Sequence, residues 1–204
     1  MRTLVIASIF LFLQSFPGYA LTVPGTGDSL VVLQRLALEY QRIYPERKIE
    51  IPPSIGSTGG IRMLLQGEVE LARVARTLRL EEEAQGLKWL EFARSPIVFV
   101  GNLPDKCQTN LSSAQVVAVF SGEIDRWSQL GNCPDHKIYL ARREAGDSSD
   151  NVLQKKIVGL SEIKNKVGKV IYTTQIAFRT IFEHPYTLGY LPLAQVLWGY
   201  KTCS

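Results

Sequence analysis

Histidine, methionine and cysteine are scarce in this 204-residue sequence, with two, two and three copies. The two histidines stand apart from other potential ligands, which argues against a zinc site and leaves no metal set to name. Three cysteines are too few for a small domain built on disulfides. No GxxxxGK[ST] or GxGxxG stretch is present, so a nucleotide-binding turn has no support, and no GxSxG elbow marks a serine hydrolase. There is no Lys/Arg block, internal repeat, heptad run or low-complexity linker. Proline and glycine, at 10 and 16 residues, are near average and exclude a collagen-like chain. Mean hydropathy is +0.03, against a membrane-embedded body.

What is present is 46% hydrophobic residues and 21% charged ones, enough for one domain or two small lobes. The net charge of +4 suits an anionic small ligand at least as well as a nucleic acid, and no nucleic-acid partner is expected. The first 20 residues read as a signal peptide. Arg2 gives the charged start, Leu4–Leu13 the apolar run, and Gly18 and Ala20 the small residues a signal peptidase reads. Such a run is too short to span a bilayer of about 30 Å. Export would put the chain from Leu21 onward in the periplasm, an oxidising compartment. There a Cys107–Cys133 bridge is expected, with Cys203 left over; three buried thiols are the alternative.

Patterning predicts alternating strands and helices. Leu21–Val23, Lys48–Pro52, Val69–Ala75, Pro96–Val100, Lys137–Ala141, Lys169–Tyr172 and Leu188–Leu191 read as strands, and Pro96–Val100 is apolar enough to be buried on both faces. A helix is expected from Ser29 to about Tyr44 with Leu33, Leu36, Ala37, Tyr40 and Ile43 on one face, and others over Ile61–Gln66 and from Ser149 to about Ile157. Gln175–Phe182 reads as one more. Leu111–Gly122 carries helix punctuation: Ser112 as N-cap, Gln115 completing a capping box, Gly122 as the stop. Glu81, Glu82 and Glu83 read as the solvated first turn of a surface helix. This rhythm means an α/β fold with mostly parallel strands.

Three turns carry the chemistry: Gly25–Ser29, Ser54–Gly60 and Gly146–Ser149. Each follows a strand and opens a helix, presenting backbone N–H groups and a hydroxyl where the helix dipole favours negative charge. In parallel sheets such turns gather at the carboxyl ends of the strands. Arg143, just before the third turn, has the planar fork that pairs with anionic oxygens. Ser57 or Ser148 as a nucleophile lacks a positioned base, and His136 and His184 fall in surface turns. Binding is therefore expected rather than catalysis, with no catalytic residue and no cofactor.

The succession of a Gly-rich first turn, Ser54–Ile61, Val69–Ala72, Phe120–Trp127, Arg143–Ser149 and Leu188–Leu191 resembles the phosphate-binding proteins that serve ABC phosphate importers. The family's versions run approximately IGSxGG, VDFGASD, FxGxIxxW, RxxGSGT and IGY. The resemblance implies a type 2 periplasmic-binding-protein architecture, two α/β lobes with mostly parallel sheets closing on an anion in the cleft between them. Lobe 1 would hold residues 21–98 and 180–204, and lobe 2 residues 99–179. It also implies oxyanion contacts at Ser29, Leu30, Ser57, Arg143, Asp147, Ser148 and Ser149, with backbone donors at Thr58 and Gly59. The implied partners are phosphate or a related oxyanion and the membrane permease of an ABC importer, for a protein acting as a monomer.

Two positions depart from the family. Ala75, followed by Arg76, stands where the family has an Asp that accepts a proton-bearing oxygen of phosphate, and Asp147 replaces a serine. Arg73 and Arg76 either add compensating positive charge or face solvent. These departures motivate an alternative: a sensor or interaction module that keeps the fold with an altered or silent anion site.

Overall fold

The computed structural model describes residues 20–107 and 109–202, with side chains to 198. The expected signal segment 1–20, apart from Ala20, and Cys203 lie outside the described residues.

Two sheets organise the chain. The smaller pairs β1 (Leu21–Thr22) in parallel with β2 (Ile49–Glu50). The larger has four strands in the order β3 (Ile97–Gly101), β6 (Thr187–Pro192), β4 (Tyr139–Arg143) and β5 (Lys169–Ile171). In it β4 runs parallel to both β5 and β6, and only the β3–β6 pairing is antiparallel. Mixed α/β architecture with mostly parallel strands is thus what forms. Strand β6, within the segment 180–204 grouped with lobe 1 above, pairs with β3 and β4 in the larger sheet.

The first helix, α1 (Leu30–Ile43), follows β1, and α2 (Gly56–Leu65) follows β2. A short α3 (Leu80–Glu83) precedes β3. Next come α4 (Ser113–Ser121), α5 (Ser148–Lys156) after β4, α6 (Thr174–Glu183) after β5, and α7 (Leu193–Thr202) after β6. The punctuation of α4 is as the sequence reads. Ser112 Oγ accepts from the Gln115 N–H at 3.2 Å, Gln115 Oε1 accepts from the Ser112 N–H at 2.9 Å, and Gly122 stops the helix at φ 84°. That left-handed turn brings Trp127 back into the core, where its indole N–H donates to the Tyr186 carbonyl at 2.9 Å.

The core lies on the two faces of the larger sheet. Val119, Phe120, Trp127, Leu140, Leu153 and Leu160 are among the residues filling one face, and Ala141, Ile171, Phe178, Ile181 and Leu191 fill the other. The smaller sheet buries less. Of the expected inner face of α1 only Ala37 is buried, and Leu36 and Ile43 are more than half exposed. Strand β3 is half-buried along its length rather than enclosed on both faces. A bridge does form between Cys107 and Cys133, closing a loop of sequence separation 26.

Three further expectations are corrected. Val69–Ala75 is not a strand; it contributes a single parallel bridge from Arg73 to Gly25. The second helix begins at Gly56, so Ser57, Thr58, Gly59 and Gly60 are its first turn rather than a loop before it. Of the three glutamates, Glu82 is buried, because Arg76 six residues earlier folds back to pair with it at 2.7 and 2.8 Å. No helix among the described residues is long and apolar enough to cross a membrane.

Candidate functional site

Strands β4 and β5 end where α5 and α6 begin, and the first turns of α1 and α2 come against the same place from the smaller sheet. Parallel topology causes this gathering, since each strand delivers its chain to one end of its sheet. The contacts across the junction are polar. The hydroxyls of Ser57 and Ser148 share a hydrogen bond of 3.0 Å, although 91 residues separate them. The Asp28 carboxylate accepts from Ser149 Oγ at 3.2 Å and from Thr174 Oγ1 at 3.0 Å.

Arg143, at the end of β4, is 5% exposed. Its Nε donates to the Ile171 carbonyl at 3.0 Å, its Nη1 to Thr174 Oγ1 at 2.9 Å, and its Nη2 to the Tyr172 carbonyl at 3.1 Å. Nη2 also pairs with the Asp147 carboxylate at 2.8 Å. Those bonds occupy four of the five guanidinium N–H groups, leaving one on Nη1. The other Asp147 oxygen caps α5, accepting from the Ser149 and Asp150 N–H groups at 3.0 and 3.2 Å. Asp147 thus uses backbone donors that the resemblance assigns to an anion. Behind it, Tyr190 Oη donates to Asp150 at 3.0 Å and accepts from the Arg143 N–H at 2.8 Å, which anchors β4 to α5 through β6.

Donors from the smaller sheet are less committed. Neither α1 nor α2 has a side-chain cap, in contrast to α5 and to α6, whose N-cap Thr173 accepts from the Ile176 N–H. Ser29 Oγ is buried with no hydrogen-bond partner, and Leu30 is buried as the first residue of α1. Ser57 Oγ accepts from the Ala75 N–H at 3.2 Å, so the position without the family's carboxylate presents its backbone to the junction instead. Ser57 and Ser148, and Arg143, Asp147 and Ser149, are thus linked by hydrogen bonds and an ion pair, and Ser29 and Leu30 directly follow Asp28, which holds Ser149. Thr58 is exposed on α2 and Gly59 lies against Ile55. Among the described residues no side-chain hydrogen bond ties Thr58 to the cluster.

Arg73 and Arg76 are neither solvent-facing nor loose cations. Arg73 is 2% exposed, and its guanidinium donates to the carbonyls of Thr26 at 2.6 Å, Pro52 at 2.6 Å and Val23. Burial without a carboxylate lowers its pKa to about 10. The same segment explains Gly25, at φ 138°: a Cβ there would lie 1.9 Å from the Arg73 carbonyl oxygen. Arg76 is spent on Glu82, whose pKa that hydrogen-bonded pair lowers to about 2.

Electrostatically the junction mixes signs. Burial is the main cause that raises the Asp28 pKa from 3.8 to about 6, with the Asp147 carboxylate adding to it; Arg143 and the Thr174 and Ser149 hydroxyls oppose. Burial also raises Asp147, against the pull of Arg143. Tyr190 is raised by burial and by Asp150. Reading the sequence missed Asp28, Thr174, Asp150 and Tyr190. A signal existed for Thr174: Lys169–Ile171, then Thr173-Thr174, then a helix repeats the strand, hydroxyl, helix pattern of the other three turns. A concavity of about 700 Å³ lies elsewhere, at the opposite end of the larger sheet, lined by Val119, Ile124, Ile138, Leu140 and Val167. None of the described residues lining it belongs to the first turn of a helix.

The architecture is that of type 2 periplasmic-binding proteins. Residues 15–202 match the family model described as a PBP superfamily domain, and the chain belongs to that superfamily. It is 26% identical over 185 residues to the phosphate-binding protein PstS of Borreliella burgdorferi, with 84% of this chain and 63% of that protein covered. It is 30% identical over 110 residues to PstS 2 of Streptococcus pneumoniae serotype 4, covering 54% of this chain and 37% of that one. The chain thus spans less than two thirds of the length of these relatives. Among solved structures, a putative phosphate ABC transporter substrate-binding protein with bound phosphate from Clostridium perfringens superposes with a TM-score of 0.74. Identity there is 24%, and 85% of this chain and 70% of the other are covered.

Proposed function

We propose that this protein binds an oxyanion, phosphate foremost, where α1, α2 and α5 begin, and delivers it to the permease of an ABC importer. The observation that carries the reading is the buried Arg143, aimed at a junction where hydroxyls from both sheets meet and two uncapped helices begin. A guanidinium at helix N-termini is the chemistry an oxyanion requires. The relatives named as phosphate-binding proteins support the same ligand. In this reading the sheets belong to two lobes that hinge at β3 and β6, the protein is exported by residues 1–20 to the periplasm, and it acts by binding without turnover. The ligand contacts are Ser29, Leu30, Ser57, Arg143, Ser148 and Ser149, with Thr58 and Gly59 supplying backbone N–H groups and Asp147 orienting Arg143.

The test is calorimetric titration of the chain from Leu21 with phosphate and then sulfate, repeated with Arg143→Ala. Saturable phosphate binding that the substitution abolishes is the expected result. No binding of either anion by protein shown to be folded refutes it. A second reading, a sensor or interaction module with a silent site, is favoured by one observation: Asp147 already occupies Arg143 and the start of α5. It predicts that silent outcome.

A further inference from the structure

Asp28 stands in the junction as an anion of the chain's own. Its two oxygens take the hydroxyl hydrogens of Thr174, at the start of α6, and of Ser149, in the first turn of α5. Thr174 Oγ1 in turn accepts from Arg143, so Asp28 is joined to the guanidinium through one hydroxyl. These are groups an oxyanion would engage on the larger-sheet side, and Ser29, beside Asp28 in sequence, is the hydroxyl left without a partner. An incoming oxyanion meets a carboxylate already seated on its donors.

We propose that Asp28 sets the affinity of the site by competing with the oxyanion for the Ser149 and Thr174 hydroxyls, so that binding takes up one proton at Asp28. This inference rests on the oxyanion reading above. Once protonated, Asp28 no longer repels the ligand, releases the hydroxyl held by the oxygen that takes the proton and adds an O–H donor of its own. The proton comes from solvent, and no covalent bond is made or broken. The charged groups that act on Asp28 are Asp147, the N-cap of α5, and Arg143 from β4; beyond them Asp150 and Tyr190 are bonded to each other, and Arg73 holds the Thr26 carbonyl. Arg143 is the cation in direct reach of this polar network, and it is already neutralised by Asp147. With the carboxyl titrating near pH 6, only about one molecule in 30 is in the protonated form at pH 7.5, which weakens apparent affinity about 30-fold.

The experiment is calorimetric titration with inorganic phosphate between pH 5 and 8, in buffers of different ionisation enthalpy, for wild type and Asp28→Asn. Phosphate's own ionisation contributes equally to both proteins, so the difference in proton uptake reports Asp28. Expected are one extra proton taken up by wild type at pH 7.5, an affinity about 30-fold tighter for Asp28→Asn there, and convergence near pH 5. Asp28→Ser, whose side chain is too short to reach both hydroxyls, serves should the Asn variant fail to fold, with the same expectation. Phosphate binding with equal proton uptake in wild type and variant, or weaker binding by the variant at pH 7.5, overturns the proposal and leaves the oxyanion reading standing. Absence of phosphate binding by wild type and variant alike at every pH overturns both.

Discussion

Replacing Asp28 by Asn is predicted to stabilise the ligand-free protein, by an amount that depends on pH. The carboxyl is enclosed at the junction and held near Asp147, so the folded chain holds its proton more tightly than the unfolded one. A rise from 3.8 to about 6 corresponds to about 3 kcal/mol by which folding disfavours the ionised form. The sign follows from proton counts. Between pH 4 and 6 the native state binds more protons than the unfolded state, so wild-type stability falls as pH rises through that window, and the deficit is complete above about pH 7. An uncharged Asn carries no such deficit. The variant should therefore melt higher at pH 7.5, by roughly 6–12 °C for a chain of this size. That range is an upper bound, because Asn keeps one acceptor and turns an NH2 toward the second hydroxyl. Thermal unfolding followed by circular dichroism from pH 4 to 8, in phosphate-free buffer, measures the difference directly. A gap that does not shrink between pH 7.5 and pH 4, or a variant less stable than wild type at pH 7.5, would refute the reasoning.

Reduction of Cys107–Cys133, or its replacement by two alanines, should lower stability by about 3.5 kcal/mol on the loop-entropy relation for a separation of 26 residues. Denaturant unfolding with and without reductant checks this, and a change below about 1 kcal/mol would contradict it. Glu82→Gln should destabilise by about 3 kcal/mol by stranding a largely buried Arg76. Because pairing depresses the Glu82 pKa, that contribution is present above about pH 4.5 and lost as pH falls toward 2, so wild type and variant should converge in acid.

Local devices were legible in the sequence, as was the Cys107–Cys133 bridge, whereas the polar pairings across the junction were not. Ser112, Gln115 and Gly122 act within one helix, and their capping was readable because each partner lies a few residues away. Arg143 was readable from its chemistry and its place before a turn. Asp28 was not, because within Gly25–Ser29 an aspartate is an ordinary turn residue. Its role comes from Ser149 and Thr174, separated from it by 121 and 146 positions. The family resemblance pointed to Asp147 as a contact, but only the fold shows it turned back on its own helix and on Arg143. Val69–Ala75 alternates well enough to suggest a strand, yet only Arg73 bridges to its neighbour, and its side chain is drawn away by loop carbonyls.

That one arginine fastens the loop after β1 to the loop after β2, gripping Val23 and Thr26 on one side and Pro52 and Pro53 on the other. The openings of α1 and α2 are thereby welded into a single jaw. On the oxyanion reading, such a jaw would present its hydroxyls and helix ends already aligned, with the entropy of ordering them lost during folding rather than at capture. It also means the two loops cannot drift independently under mutation: a change at Pro52 is felt at Thr26 through the one guanidinium that holds both carbonyls.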